Sequence, residues 1–536
     1  MIEQTPNPAT MQDLQAHVHG ELIGPNDRGY DANRKVWNGM IEKYPALIIR
    51  CADVADVISA VQFARDHHLL VAVRGGGHSV SGSSVCDGGV VIDLSHMKGI
   101  WVDPAQKTVW AQAGLTLGEF VQATQAYGLA TTTGTVGGTG LAGLTLGGGL
   151  GWLMGKYGLT IDNLLAVDLV TANGRVLRAS ASEHSDLFWG VRGGGGNFGI
   201  VTAFEFQLHP IGPLLAGKIV YPVECAREVL RFYREYTRTA PDELTVYASL
   251  ATTPGGLPTI AISLCYCGLP EEGERAVAPL RRFGTPLADL VRPRSYLKMI
   301  TQADLGAPAG RFYYEKASTL SDLSDEAIDA MVACGLACTS PWSQILIQHV
   351  HGVATRVGPT ETPFALRGES YVISILAAWD DGEAHRHIAW TRACWRAMEP
   401  FASSGVYVNF LGNEGEGRVR ASYGVNYERL VALKNRYDPT NFFALNQNIK
   451  PTIKEGEPCL RQVEVQCKDS IKIGPLKTTR YQFEASMCVN VGIKWLMSTL
   501  GTGGEFKNRA RTMQREAKNH AQFYNSPPIS YRALLF

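Results

Sequence analysis

Between Gly134 and Gly199 about a quarter of the residues are glycine, against an ordinary share of about 7%. No other feature restricts the fold so strongly. A segment this poor in side chains makes neither a stable long helix nor a membrane span, and the weakly polar run from Leu129 to Met154 is excluded as one on that ground. Such a stretch suits places where the backbone approaches a ligand closely or takes φ > 0.

The residues before it predict a β-α-β unit. Ala46 to Ile49 is an apolar run suited to a buried strand, and Val54, Val57, Ile58 and Val61 follow the i, i+3, i+4, i+7 spacing of a helix face. A second strand, Leu69 to Val73, leads into Arg74-Gly75-Gly76-Gly77-His78-Ser79. Val90 to Leu94 and Thr108 to Trp110 continue the strand pattern. After the glycine-rich stretch, Ala166–Val170 and Arg175–Leu177 flank Asn173-Gly174, a hairpin signal. Glycine thins out near His209-Pro210. From about 212 to 400, strands (Leu244–Leu250, Thr259–Cys265, Gln344–Val350) alternate with amphipathic helices such as Glu224–Tyr236, predicting a second α+β domain.

With 50 Lys plus Arg against 50 Asp plus Glu, the charge gives no footprint for nucleic acid or an anionic membrane. The start, MIEQTPNPATMQDLQ, has no signal-peptide pattern, so a cytoplasmic location is expected. Eleven cysteines are scattered; Cys265 with Cys267 and Cys334 with Cys338 lack the partners of a zinc site, and no metal is expected. The tail from Thr452 carries about thirteen basic against seven acidic residues and reads as an atypical basic appendage.

Consecutive glycines after a strand expose several N–H groups in one turn, a concavity suited to a pyrophosphate. His78 follows that turn, placed to act as a base, a hydrogen-bond partner or a covalent attachment point. Gly138-Thr139-Gly140-Leu141-Ala142-Gly143 fits GxGxxG but fails as a Rossmann fingerprint: Leu129-Ala130-Thr131-Thr132-Thr133 is a poor buried strand, and Gly147-Gly148-Gly149 breaks the following helix at once. His349 and His351 alternate on a predicted strand and so share a face, making His351 a catalytic candidate on the substrate side. Tyr313 and Tyr314 are candidates for the substrate wall.

Together these segments resemble a known family. Arg74 to Ser79 is similar to the R-x-G-G-H loop of the vanillyl-alcohol oxidase or p-cresol methylhydroxylase (PCMH) type of flavoprotein. Thr139–Gly149, Lys156–Asn163, Val170–Gly174 and Asp186–Val201 match further motifs in the same order. Tyr407-Val408-Asn409-Phe410, Tyr437–Asn441 and Asn446–Ile449 look like the closing signature of the berberine-bridge-enzyme-like branch. The resemblance spans roughly residues 20 to 451 and implies FAD, attached through an 8α-histidyl bond to His78. It also implies a cofactor site of Arg74, Gly75, Gly76, Gly77, His78, Ser79, Gly134, Gly138, Thr139, Gly143, Leu144, Gly148, Gly149, Gly151, Asn197, Gly199, Ile200, Val201, Asn446 and Asn448. Many relatives add a cysteinyl bond near the position of Val136. No thiol occurs from Gly134 to Gly149, so a single bond is expected, as in bacterial nicotine-oxidising members.

Tyr407 matches the tyrosine that acts on the substrate proton in several relatives, although Phe410 replaces the second tyrosine of their Y-x-N-Y segment. To be a base near neutrality, a tyrosine needs a neighbouring cation. The expected architecture is α+β: an extension (1–19), a PCMH-type FAD domain of two subdomains (20–211), a substrate domain with a helix-covered antiparallel sheet (212–400), a returning segment (401–451) and the tail (452–536). The expected activity moves a hydride from a small alcohol, sugar or amine to flavin N5, with O2 reoxidising the flavin to give H2O2, in a monomer or homodimer. A dehydrogenase using another acceptor and a non-catalytic flavin carrier are the alternatives.

Overall fold

A computed structural model describes residues 8–452, except 254 and 381. The stretch from 453, and with it the basic tail, lies outside the described residues. Three large sheets, with a two-stranded one joining Leu129–Ala130 to His209–Pro210, organise the rest. The first runs in the order Glu21–Ile23, Leu47–Arg50, Val90–Asp93, Val71–Arg74, and its last three strands are parallel. Parallel neighbours need a crossover. Helix Val54–Asp66 supplies the one from Leu47–Arg50 to Val71–Arg74, which lie on either side of Val90–Asp93; it is capped by the Asp53 carboxylate accepting the Asp56 N–H and packed through Val57, Ala60, Val61 and Ala64. The N-terminal helix Pro8–His17 contributes Leu14 to the same core.

The second sheet is five-stranded and antiparallel, ordered Ile100–Asp103, Thr108–Gln112, Ile200–Gln207, Leu164–Val170, Val176–Ser180. The hairpin expected at Asn173-Gly174 joins its last two strands, with Gly174 at φ 75°. Between these strands the glycine-rich stretch forms only short elements. Helix Leu141–Leu146 stops at the glycine triplet, where Gly148 and Gly149 take φ 128° and 84°. No Rossmann unit forms there.

The third sheet is eight-stranded and antiparallel; its main path is Ala288–Asp289, Leu214–Pro222, Pro258–Tyr266, Leu244–Thr252, Gln344–Val350, Ser370–Trp379, Phe312–Leu320. Helices Ala226–Thr237, Asp325–Leu336 and Ala384–Met398 share one apolar core with one phase of these strands, including Ile345, Ile347, Ile373, Ile375 and Ala377. The other phase carries Gln344, Leu346, Gln348, Ser374, Leu376 and Glu315 and faces a cavity. The α+β class is therefore borne out.

The closing segment packs into the first core through Val406, Tyr407, Leu411, Leu430, Phe443 and Ile449. A buried ion pair pins it. Lys434, on helix Tyr427–Tyr437, donates to Asp438 (2.7 Å), the Asn197 carbonyl (2.9 Å) and the Phe443 carbonyl (3.0 Å), while Asp438 accepts the N–H groups of Phe442 and Phe443. Asp438 thus accepts from three donors in a place that water does not reach.

Candidate active site

The cavity, of about 430 Å³, lies between the glycine loops, the closing segment and the polar face of the third sheet. Fourteen of the sequence candidates line it: Gly75, Gly76, Gly77, His78, Ser79, Gly134, Thr139, Gly143, Leu144, Gly199, Ile200, Val201, Tyr407 and Asn446. The two glycine loops touch backbone to backbone, so a Cβ on Gly76 would lie 2.4 Å from Gly140 Cα and N. No side-chain rotation relieves such a contact.

The remaining candidates do not line it. Arg74 sits below the loop as a buried ion pair, with Asp93 at 2.7 Å and the Asn33 carbonyl at 2.6 Å, holding the strand end. Gly138 donates its N–H to Asp304, and a Cβ there would lie 3.8 Å from His78 Nε2. Gly148, Gly149 and Gly151 serve close packing: a Cβ would strike Phe364 at 2.6 Å, Thr160 at 2.1 Å and the Thr133 carbonyl at 1.6 Å, respectively. Asn197 is a buried tie between chain segments, donating to the Gly194 and Gln447 carbonyls and accepting from the Ile449 N–H. Asn448 is half-buried outside the lining.

His351 is also outside the lining. It stacks on His349 (4.8 Å, 3°), so the two share a face as the alternation predicted, but the phase is the wrong one. His349 lies on the same phase as Ile345 and Ile347, against Tyr371, and burial holds both imidazoles neutral, with pKa values pushed down to about 4. Tyr314 likewise lies on the helix side, under Arg392, whereas Tyr313 stacks on Trp37 (3.8 Å, 13°).

His78 stacks on Trp37 as well, with ring centroids 4.8 Å apart. Burial pushes its pKa down to about 4, opposed weakly by Asp304. The ring is therefore a neutral imidazole at pH 7. After it, Ser79, Ser81 and Ser83 form a chain of hydroxyls along the cavity wall. Tyr407 accepts the Gly149 N–H (3.1 Å) and an Asn409 Nδ2 hydrogen (2.8 Å), which leaves its own proton to donate. Burial raises its pKa, and no cation lines the cavity among the described residues. Tyr407 is placed as a donor and remains protonated. Phe410 packs edge-on against it at 5.0 Å.

One residue escaped the sequence reading. Glu315, on strand Phe312–Leu320, is a buried carboxyl in the cavity wall, hydrogen-bonded by the Ser374 hydroxyl. Burial pushes its pKa up to about 7, lowered by Ser374 and raised by Glu414. Register explains the meeting: Glu315, Leu376 and Gln344 form one row across three strands, and Ala317, Ser374 and Leu346 the next. Only the strand phase it shares with Tyr313 signals this from sequence.

These residues fit a flavin nucleotide. Four buried polar atoms of the wall, Ser84 Oγ, Gln348 Oε1, Tyr423 OH and Asn446 Oδ1, have no partner within the protein. Buried polar groups left so are costly, and a bound polar ligand satisfies them. Gly143 and Gly196 meet nothing within 4 Å where a Cβ would stand, which leaves room beside the backbone.

The FAD binding domain family matches residues 45–180, and the berberine and berberine-like family matches 406–450. These segments meet around the cavity, and the class they define is that of FAD-dependent oxidoreductases. The chain is 33% identical over 442 residues to an FAD-linked oxidoreductase of Dictyostelium discoideum, covering 81% of this chain and 95% of that protein. It is 31% identical over 452 residues to the (R)-6-hydroxynicotine oxidase of Paenarthrobacter nicotinovorans, covering 81% and 97%. The crystal structure of 6-hydroxy-D-nicotine oxidase from Arthrobacter nicotinovorans superposes with a TM-score of 0.75 at 30% identity, covering 81% of this chain and 98% of that one. The chain belongs to the berberine-bridge-enzyme-like FAD-linked oxidoreductases and is an FAD-dependent enzyme of the oxidase type. Among the described residues no helix is long and apolar enough to cross a membrane.

Proposed function

We propose that this enzyme carries its FAD on His78 through a single covalent bond and oxidises a small alcohol, sugar or cyclic amine, with O2 as the final acceptor and H2O2 as the product. The carrying observation is His78 itself: a buried neutral imidazole in the cavity wall, between a glycine turn and a serine chain. A neutral ring offers a nitrogen lone pair for attachment, which a protonated ring does not. The lack of a thiol from Gly134 to Gly149 leaves no second attachment there.

Bound flavin supplies the hydride acceptor, while the chain positions the substrate and handles its proton. The N–H groups of Gly75 to Gly77 and the Ser79–Ser83 hydroxyls suit a diphosphate without a lysine or arginine. The Tyr407 hydroxyl donates to an acceptor on substrate or cofactor, and the sheet covers the reacting centre. Acid-precipitated protein is expected to stay yellow, whereas His78→Ala is expected to hold FAD that precipitation extracts. A colourless wild-type pellet with a yellow supernatant would refute the linkage. Peroxide release with turnover under air tests the acceptor.

A further inference from the structure

We propose that Glu315 takes the proton of the substrate's hydroxyl or amino group, and that the polar rows around it select uncharged or cationic substrates over carboxylates. This rests on the oxidase reading above and names the residue that reading leaves open.

His78, Glu315, Tyr407 and Tyr423 are the only titratable side chains lining the cavity among the described residues. His78 is assigned to the cofactor, and Tyr407 uses its oxygen to accept two N–H groups. Tyr423 is buried, and its pKa is raised by burial and by Tyr427. Glu315 alone among them is a carboxyl, and it comes from the sheet that roofs the cavity rather than from the flavin-binding part.

Its surroundings hold it ready for either protonation state. On the neighbouring strand Ser374 donates to it; beyond lie Gln344 and Leu346, and Gln348 keeps an unpartnered oxygen. The facing charged group is Glu414, itself paired with Lys316 at 3.0 Å and Arg418 at 3.2 Å, so neither cation is free to fix Glu315 as a carboxylate. Burial against this background places its ionisation near neutrality, at about 7, where a base must switch to be useful.

In the step, the substrate O–H or N–H bond breaks and its proton passes to a Glu315 oxygen. The adjacent C–H bond breaks with its electron pair, which leaves as hydride to the flavin, and a C=O or C=N bond forms. The substrate loses two electrons and the flavin gains them. Glu315 returns its proton to water after product leaves. A carboxylate substrate would bring a second negative charge to a wall without a cation, so it is disfavoured.

The test uses holoenzyme under anaerobic conditions, with a neutral alcohol or amine that bleaches the wild-type flavin. Glu315→Gln is expected to slow flavin reduction by about 100-fold or more and to abolish the pH limb near 7. Infrared titration of the oxidised holoenzyme, without substrate, is expected to show a carboxylic-acid carbonyl band that fades through about pH 7 and is absent from Glu315→Gln. Ser374→Ala removes a bond that favours the carboxylate and is expected to move both the band and the limb upward; it decides the matter if Glu315→Gln does not retain flavin. Tyr407→Phe is expected to keep the limb. Wild-type reduction rate and an intact limb in Glu315→Gln overturn this inference while leaving the oxidase reading in place. Flavin-loaded wild type that no alcohol, sugar or amine bleaches overturns that reading, and this inference with it.

Discussion

Replacing Lys434 by methionine tests the tie that closes the cavity. Methionine keeps most of the side chain's reach and apolar stem but removes the ammonium. Lys434 and Asp438 are both fully buried. Three acceptors lose their donor at once: Asp438 at 2.7 Å and the carbonyls of Asn197 and Phe443 at 2.9 and 3.0 Å. Breaking a buried pair from one side leaves an uncompensated charge and costs about 3–5 kcal/mol. Asp438 keeps the N–H groups of Phe442 and Phe443, which argues for the lower half of that range. Burial depresses the Lys434 pKa against the pull of Asp438. Denaturant unfolding of holo and apo protein, followed by tryptophan and flavin fluorescence, measures the loss. Because Asn197 and Phe443 also hold Gln447 and Asn446 in the wall, non-covalent FAD retention in a His78→Ala background is expected to fall as well. The double variant Lys434→Met/Asp438→Asn is expected to lose less than the sum of the singles, by at least about 1 kcal/mol. A loss below about 1 kcal/mol for Lys434→Met, or strict additivity, would refute the claim that charge compensation holds this segment.

Two further outcomes are expected. Gly76→Ala forces a Cβ into the Gly140 backbone at 2.4 Å and is expected to cost about 3 kcal/mol, the upper end for overpacking, with FAD binding weakened more than global stability; equilibrium FAD titration of the His78→Ala form with and without the change reads this, and unchanged affinity would contradict the loop contact. His78, His349 and His351 each have a folded pKa pushed down to about 4 from 6.5, so the unfolded chain binds more protons between those values and stability rises with pH through that window. His349→Gln/His351→Gln is expected to flatten the acid limb of stability measured by urea midpoints, and an unaltered slope would show that these rings are solvated.

What the sequence disclosed, and what it hid, follows from the range of each interaction. The loop at Gly75 to His78, the hairpin at Asn173-Gly174 and the helix stop at Gly147 to Gly149 are local geometry, and local residue choice reports them. Arg74, Asn197 and Gly151 lie off the cavity lining because glycine-rich segments carry packing and cavity-facing residues side by side. Arg74 is held by Asp93, nineteen residues on, and Asn197 by the segment around Ile449. Alternation identified His349 and His351 as sharing a face but not which face, because both faces of this sheet are covered and the polar–apolar contrast is weak. Glu315 had no motif at all; strand pairing brings it to Ser374, 59 residues later in the chain.

The third sheet divides its two tasks by parity. Odd positions of strand Ser370–Trp379 belong to the helix-covered core, and even positions such as Ser374 and Leu376 look into the chamber. Changing every second residue on three strands therefore alters the wall of the chamber while leaving the helix-covered packing untouched. Diversification of chemistry and preservation of the fold need not compete at the same positions.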